Sequence, residues 1–295
     1  MNVQFAFSCC ISAILTFLKA TNPTKVHKGL TICRFVTNRL EPLSLQSSYL
    51  TQELKIVHIQ HPARSLLEAA VSIATQCPSK TLRQRSAQFL TKFVNKFAWS
   101  DRFHLVFYLI NTVEHSGVVG HMTVYFKDKL AEILQGEPPL GSHVFLKPSN
   151  FEKLLRKCIA LPQGSETDLL SEYDRIMASL NLLRFLFLRD TNNKTGIWEQ
   201  VPTIEIQFLN LLRTDINLSR MHFREELKKQ SLPVKGEQAP TPEFTINGVS
   251  LPSLPPKHRV QMLQSAIHSF DMMQTVCIRV QEIMDKKPTE LQTAP

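Results

Sequence analysis

The stretch 79-SKTLRQRSAQFLTKFVNKFAWSDRFHLVFYLI-110 decides the fold class. Leu82, Phe89, Leu90, Phe93, Val94 and Phe97 fall on one arc of a helix with 3.6 residues per turn. Ser79 to Trp99 therefore reads as one amphipathic helix, with Arg85, Lys92 and Lys96 along one edge of the arc. Asp101 starts a second helix from Ser100, carrying Phe103, Val106, Phe107 and Ile110 on its apolar side. Almost nothing joins the two. So short a link favours an antiparallel hairpin, the unit of α-solenoids.

The same pattern recurs outward from this stretch. Residues 46–59 and 62–76 form another expected pair, with Pro62 at a helix start. Residues 117–135 are helical and lead into a loop holding Gly136, Pro138, Pro139 and Gly141. A short helix runs from about Ser149 to Ala160, and Pro162 and Gly164 break it. Thr167 precedes a long helix to about Asp190, apolar around most of its circumference; such a helix must be covered on several sides. Residues 195–230 read as helical with breaks near Pro202 and Thr214. Residues 231–256 are rich in Pro, Gly, Ser and Gln, and Phe244 to Val249 suits a small hairpin on an Asn247-Gly248 turn. Pro255-Pro256 opens a last helix to about Asp285 with two apolar faces. The expectation is an all-α chain, an α-solenoid of HEAT-like antiparallel helix pairs. No repeated signature links the pairs, so a globular helical bundle stays open. Along the chain this gives an apolar N-terminal helix within 1–27, repeats over 28–147, further repeats over 148–287 and a frayed tail at 288–295.

Composition narrows the function classes. The 295 residues are 43% hydrophobic and 20% charged, which is a globular balance. Only 9 are Gly, so phosphate-cradling loops have little material to form from. The formal net charge of +9 favours an acidic partner: nucleic acid, an anionic membrane or an acidic protein surface. Against that stands a plain solvated basic face, because no run of five like charges occurs. Cys9, Cys10, Cys33, Cys77, Cys158 and Cys277 contain no C-x-x-C pair and read as reduced, buried thiols of a cytoplasmic protein. The apolar run at residues 3–18 has its first charge, Lys19, after it and not before it, so a buried helix is favoured over a secretory signal or anchor.

Chemistry-bearing motifs are scarce. Neither a phosphate-binding loop, nor a nucleophile elbow, nor an H-E-x-x-H pair occurs. His58 and His61 have i,i+3 spacing, but nothing beside them completes a metal site. No cofactor and no enzymatic activity are expected. The basic helical edges could follow a phosphate backbone, yet no regular Arg/Lys ladder accompanies them, so nucleic-acid binding is not expected. Asn193-Lys194-Thr195 and Asn217-Leu218-Ser219 match the glycosylation acceptor, a triplet that arises by chance.

Longer motifs carry a resemblance. Gln163-Gly164-Ser165-Glu166-Thr167-Asp168-Leu169-Leu170 and Asp174 through Phe185 closely resemble the glomulin family. So do Thr195-Gly196-Ile197-Trp198, Leu218-Ser219-Arg220 with its following helix, and Leu254-Pro255-Pro256 through Ser269-Phe270-Asp271. Asn111-Thr112 and His115-Ser116-Gly117-Val118 extend the match upstream, giving a span of roughly Lys28 to Asp285. The resemblance reaches only the family's C-terminal half, so a fragment, a short isoform or an incomplete gene model is expected. Residues 1–27 match less clearly, and the loop from Gln135 to Lys147 diverges.

The resemblance implies HEAT-like repeats whose C-terminal part binds the RING domain of the RING-box subunit of cullin–RING ubiquitin ligases. Binding there covers the docking surface of the ubiquitin-conjugating enzyme and inhibits the ligase. It also implies links to a small FK506-binding immunophilin, a receptor tyrosine kinase and vascular development. Interfaces depend on a few aromatic and Arg anchors. The expected contacts are accordingly Arg184, Arg189, Trp198, Arg220, His222 and Arg224. Trp198 could instead plug a gap between helices, and Arg184 could merely snorkel from a buried helix. A generic helical scaffold and a basic nucleic-acid-binding solenoid are the competing readings.

Overall fold

A computed structural model describes residues 3–45, 62–231, 245–246, 249–250 and 255–286. Apart from one short two-stranded hairpin the chain is helical within them, an all-α fold built as successive helical layers. The helices are α1 (Val3–Leu18), α2 (Pro23–Arg39), α3 (Pro62–Gln76), α4 (Lys80–Val94), α5 (Trp99–Thr112) and α6 (Ser116–Leu134). They continue as α7 (Pro148–Cys158), α8 (Tyr173–Arg189), α9 (Val201–Ile204), α10 (Asn210–Ser231) and α11 (Pro256–Asp285). Strands β1 (Thr245–Ile246) and β2 (Val249–Ser250) pair antiparallel, as the hairpin reading expects. Asn247-Gly248, the helix expected at 46–59, His58, His61 and the tail at 288–295 lie outside the described residues.

Sequence neighbours pair as helical repeats do: α1 with α2, α3 with α4, α5 with α6, and α10 with α11. α1 and α2 also lie on α3 and α4 respectively, which stacks one pair on the next. This shifts the pairing by one helix from the expected α4/α5 hairpin. α4 packs chiefly against α3 and α2, whereas α5 packs chiefly against α6. The link length was not the deciding quantity; the apolar arc of α4 is. Leu82, Phe89, Leu90, Phe93 and Val94 are all buried, and α3 supplies Leu66, Leu67, Ala70 and Ile73 to the same core.

α4 also ends earlier than its periodicity suggests, at Val94 instead of Trp99. Phe97 continues the apolar arc and is buried, but in an extended segment. Leu45 accounts for this. Its N–H donates to the Lys96 carbonyl (3.0 Å) and its carbonyl accepts from the Ala98 N–H (3.1 Å). Those groups are thereby withdrawn from the helical ladder.

In the N-terminal segment, Ile11, Ile14 and Leu18 of α1 are buried, and Cys9 is exposed, unlike the buried thiol expected there. No helix among the described residues is long and apolar enough to cross a membrane. The divergent loop after α6 is tied to the core by Phe145. Its ring packs against Trp99 (6.0 Å), Phe103 (5.8 Å) and Phe126 (5.9 Å) and is fully buried. Gly141, at φ 84°, makes the left-handed turn that brings Phe145 in.

Candidate partner-binding surface

The C-terminal surface is organised by α8. Its Leu180, Leu182, Leu183 and Leu186 are fully buried, because α6 covers one side and α11 another. The helix begins at Tyr173, later than the expected start after Thr167. Asp168 intervenes: its carboxylate accepts from the N–H groups of Leu170 (3.0 Å) and Ser171 (3.2 Å), holding a turn in place of a helix. The start of α8 is then clamped to the start of α6, where the Arg175 N–H donates to Ser116 Oγ (3.2 Å).

The segment after α8 folds around Asp190, which is 2% exposed. One carboxylate oxygen accepts from the Lys194 N–H (2.7 Å). The other accepts from the Thr195 N–H (2.8 Å) and hydroxyl (2.6 Å). Asn193 takes φ 52° and Gly196 φ 73°, and the turn delivers Trp198 onto Phe187 with ring centroids 4.9 Å apart. The indole N–H points to the Asp190 carbonyl at 3.4 Å. Trp198 is only 7% exposed, so it fills the gap between helices and presents little of itself outward. Asn193 is engaged too, donating to Glu199 (2.7 Å) and accepting from the Trp198 N–H (3.2 Å).

From Val201 the chain runs to Ser231 without a break near Thr214, whose hydroxyl bonds back to the Asn210 carbonyl (3.0 Å). Pro202 sits in the first turn, where its missing N–H costs nothing. Glu205–Leu209 form one π-helical turn inside this run, a local over-wide turn of the kind that recurs at functional sites. Ile206 stands 67% exposed on it.

With Trp198 turned inward, the structure separates the other five expected contact residues into two groups. Arg184 and Arg189 are exposed on α8. Arg220, His222 and Arg224 lie on α10, and Arg220 and Arg224 share one side, both turned to Asp271 of α11 at 3.3 and 4.0 Å. Arg220 also donates to Asn217 (2.8 Å). His222 is exposed, two residues from each arginine, and packs edge-on to Phe223. Phe223 in turn meets Phe270 of α11 at 5.3 Å, which fixes the height of α10 on α11. A second bridge runs from Arg213 through Gln281 (2.7 Å) to Glu205 (2.9 Å).

Sequence reasoning missed Leu218 and Met221, each 62% exposed beside these charged residues. Their signal was available: two apolar residues on the polar side of an amphipathic helix. It also missed a cavity of about 670 Å³ where the starts of α6 and α8 face α10 and α11. Glu114, Asp168, Glu172 and Asp174 rim it, and Phe223 and Met262 form its apolar wall. Burial raises the pKa of Glu172, and Arg175 opposes that shift. Among the described residues no group of three or more His, Cys, Asp or Glu could hold a metal ion.

Asp215, on the inner side of α10, is 5% exposed, and neither carboxylate oxygen has a hydrogen-bond partner among the described residues. Burial raises its pKa above the ordinary 3.8. Below 3.8 both folded and unfolded states carry the proton. As the pH rises toward the raised folded value the unfolded state ionises first, and stability falls. Asp215→Asn should therefore be the more stable form at pH 7, by about 1 kcal/mol. Denaturant melts should show that advantage shrinking as the pH is lowered toward 4. An equal advantage at both pH values would refute the assignment.

These features define a helical-repeat protein with a mixed apolar and cationic face on its last helices. Comparison with known proteins places it further. The model of an otherwise uncharacterised family described as YAP/Alf4/glomulin matches residues 11–266, and the chain belongs to that family. Glomulin of Homo sapiens is 32% identical over 276 residues, covering 93% of this chain and 44% of the human protein. Glomulin of Mus musculus is 32% identical over 278 residues, covering 93% and 45% respectively. The chain thus spans a little under half the length of these relatives.

Proposed function

We propose that this chain is a non-enzymatic binding protein that occupies the RING-box subunit of a cullin–RING ubiquitin ligase and keeps the ubiquitin-conjugating enzyme from docking. Membership of the glomulin-containing family carries the reading. The face on α8, α10 and α11, within residues 148–287, is its proposed seat. Steric inhibition needs no catalytic group; it needs a rigid face with a few anchors. Leu218 and Met221 supply exposed apolar area, Arg220, His222 and Arg224 on the same helix supply polar groups beside it, and Arg184 and Arg189 on α8 are further proposed contacts. The immunophilin, the receptor kinase and a cytoplasmic site of action belong to the same proposal.

The test is titration of the purified chain against the RING-box subunit, with charged conjugating enzyme as competitor. Saturable binding that displaces the enzyme is expected. No binding at tens of micromolar would sink the idea. The double change Leu218→Asp, Met221→Asp should weaken binding by about tenfold or more. Its melting temperature should stay unchanged, because both side chains are mostly exposed. A generic scaffold would leave ubiquitin transfer untouched in the same assay.

A further inference from the structure

We propose that the cationic face made by α2 and the adjoining edge of α4 docks an acidic protein segment carrying an apolar residue among its carboxylates. This is a second surface, distinct from the one on α8, α10 and α11. The first hundred residues hold 12 Lys and Arg against 3 Asp and Glu, whereas the remainder hold 22 of each. The whole formal charge of +9 therefore sits in the first third of the chain. α2 carries Lys25, Lys28, Arg34 and Arg39, and the α4 edge beside it carries Arg85 and Lys92, whereas Arg83 on the other side of α4 donates to the Cys77 and Pro78 carbonyls; neither helix has one acidic residue.

The fold places these two helices side by side. It even brings Arg85 of α4 against His27 of α2. None of these cations is ion-paired with a carboxylate among the described residues. Elsewhere the pairing is routine: Arg64 with Glu68, Lys129 with Glu132, Arg156 with Glu152, Arg279 with Glu282. Unpaired like charges closer than a Debye length repel one another, and an incoming anionic segment relieves that repulsion while steering itself to the face.

The apolar residues on α2 choose among anions. Lys28, Ile32, Phe35 and Arg39 form one exposed stripe at i, i+4, i+7 and i+11. Ile32 is 36% and Phe35 56% exposed, and the Arg39 guanidinium lies 4.2 Å over the Phe35 ring. Aromatic and arginine side chains are the residue types enriched where proteins dock. A phosphate backbone offers Ile32 nothing to pack on. A lipid surface is a poor match as well, because inserting Phe35 would drag Arg39 and the neighbouring Lys28 toward hydrocarbon.

The measurement is fluorescence anisotropy of the full chain with a labelled helical peptide of Glu-Glu-Leu repeats. Poly-L-glutamate, a random-sequence DNA duplex and phosphatidylserine vesicles serve as comparison ligands. The peptide should bind most tightly, with an affinity that falls as salt rises. Lys28→Glu with Arg39→Glu should weaken it by about tenfold or more. Phe35→Ala should weaken peptide binding but leave poly-L-glutamate binding unchanged. Arg279→Glu, on α11, should change neither. All four positions are exposed, so circular dichroism should show the parent fold. The proposal is overturned if the double variant binds the peptide as the parent does. It is equally overturned if poly-L-glutamate, the duplex or the vesicles bind as tightly as the peptide.

Discussion

Arg102→Ala is expected to lower the folding stability by about 4 kcal/mol and the melting temperature by roughly 10 °C. Arg102 is 5% exposed in the first turn of α5, yet it makes no ion pair among the described residues. Its partners are backbone carbonyls. Nε donates to Phe97 (2.7 Å) and Nη2 to Asn95 (2.5 Å), the carbonyls released where α4 stops. The guanidinium also lies 4.5 Å from the Trp99 ring centroid, and Tyr125 fastens the same corner by donating to Asn95 Oδ1 (2.8 Å). Burial pulls the Arg102 pKa down, but the fields of Tyr125 and Glu132 act the other way. Removing the side chain orphans two carbonyls, each worth about 1–3 kcal/mol when buried, and empties the space against Trp99. Arg102→Lys should recover little, since one ammonium cannot straddle both carbonyls as a planar fork does. Thermal melts of both variants decide the matter; a drop below about 3 °C for Arg102→Ala would show that water replaces the fork.

That corner also shows where reading the sequence stops. The apolar period from Leu82 to Phe97 is plain, and it located α4, its buried face and the helix after it. The halt at Val94 is written nowhere in that period, because it depends on Leu45, some fifty residues upstream, and on a fork from the next helix. The pairing of α4 with α3 was hidden likewise, since a short link limits how two helices can join but does not oblige them to pack. On the candidate surface, placement on α8 and α10 was legible from helical spacing and from the family's motifs. The direction of each side chain was not. Arg220 and Arg224 meet Asp271, 51 and 47 positions away, and Trp198 turns inward because Asp190 gathers the loop before it. Leu218 and Met221 were placeable by helical spacing as apolar residues on the polar side of α10, but neither is of the aromatic or Arg type that most often anchors an interface.

Gly120→Ala should cost about 2 kcal/mol even though alanine is the better helix former. Gly120 lies in α6 where that helix crosses the start of α8. A Cβ there would stand 2.8 Å from the Asp174 carbonyl oxygen and 3.0 Å from its carbon. These are backbone atoms of the facing helix, so no side-chain rotation relieves the clash; α8 must move as a body. Gly120 is therefore what lets the two helices approach, a role that composition cannot reveal. The favourable propensity of alanine offsets only about 1 kcal/mol of the strain. Gly136 gives the internal control, because nothing lies within 4 Å of a Cβ built there. Gly136→Ala should change stability by no more than about 0.5 kcal/mol. Displacement of α8 would also pull the Arg175 N–H from Ser116 Oγ and reshape the cavity that Gly117 and Asp174 line. Gly120→Ala should then show faster hydrogen exchange at the start of α8 as well as a lower denaturation midpoint. If its midpoint matches that of Gly136→Ala, the close approach of α6 and α8 is not what this glycine secures.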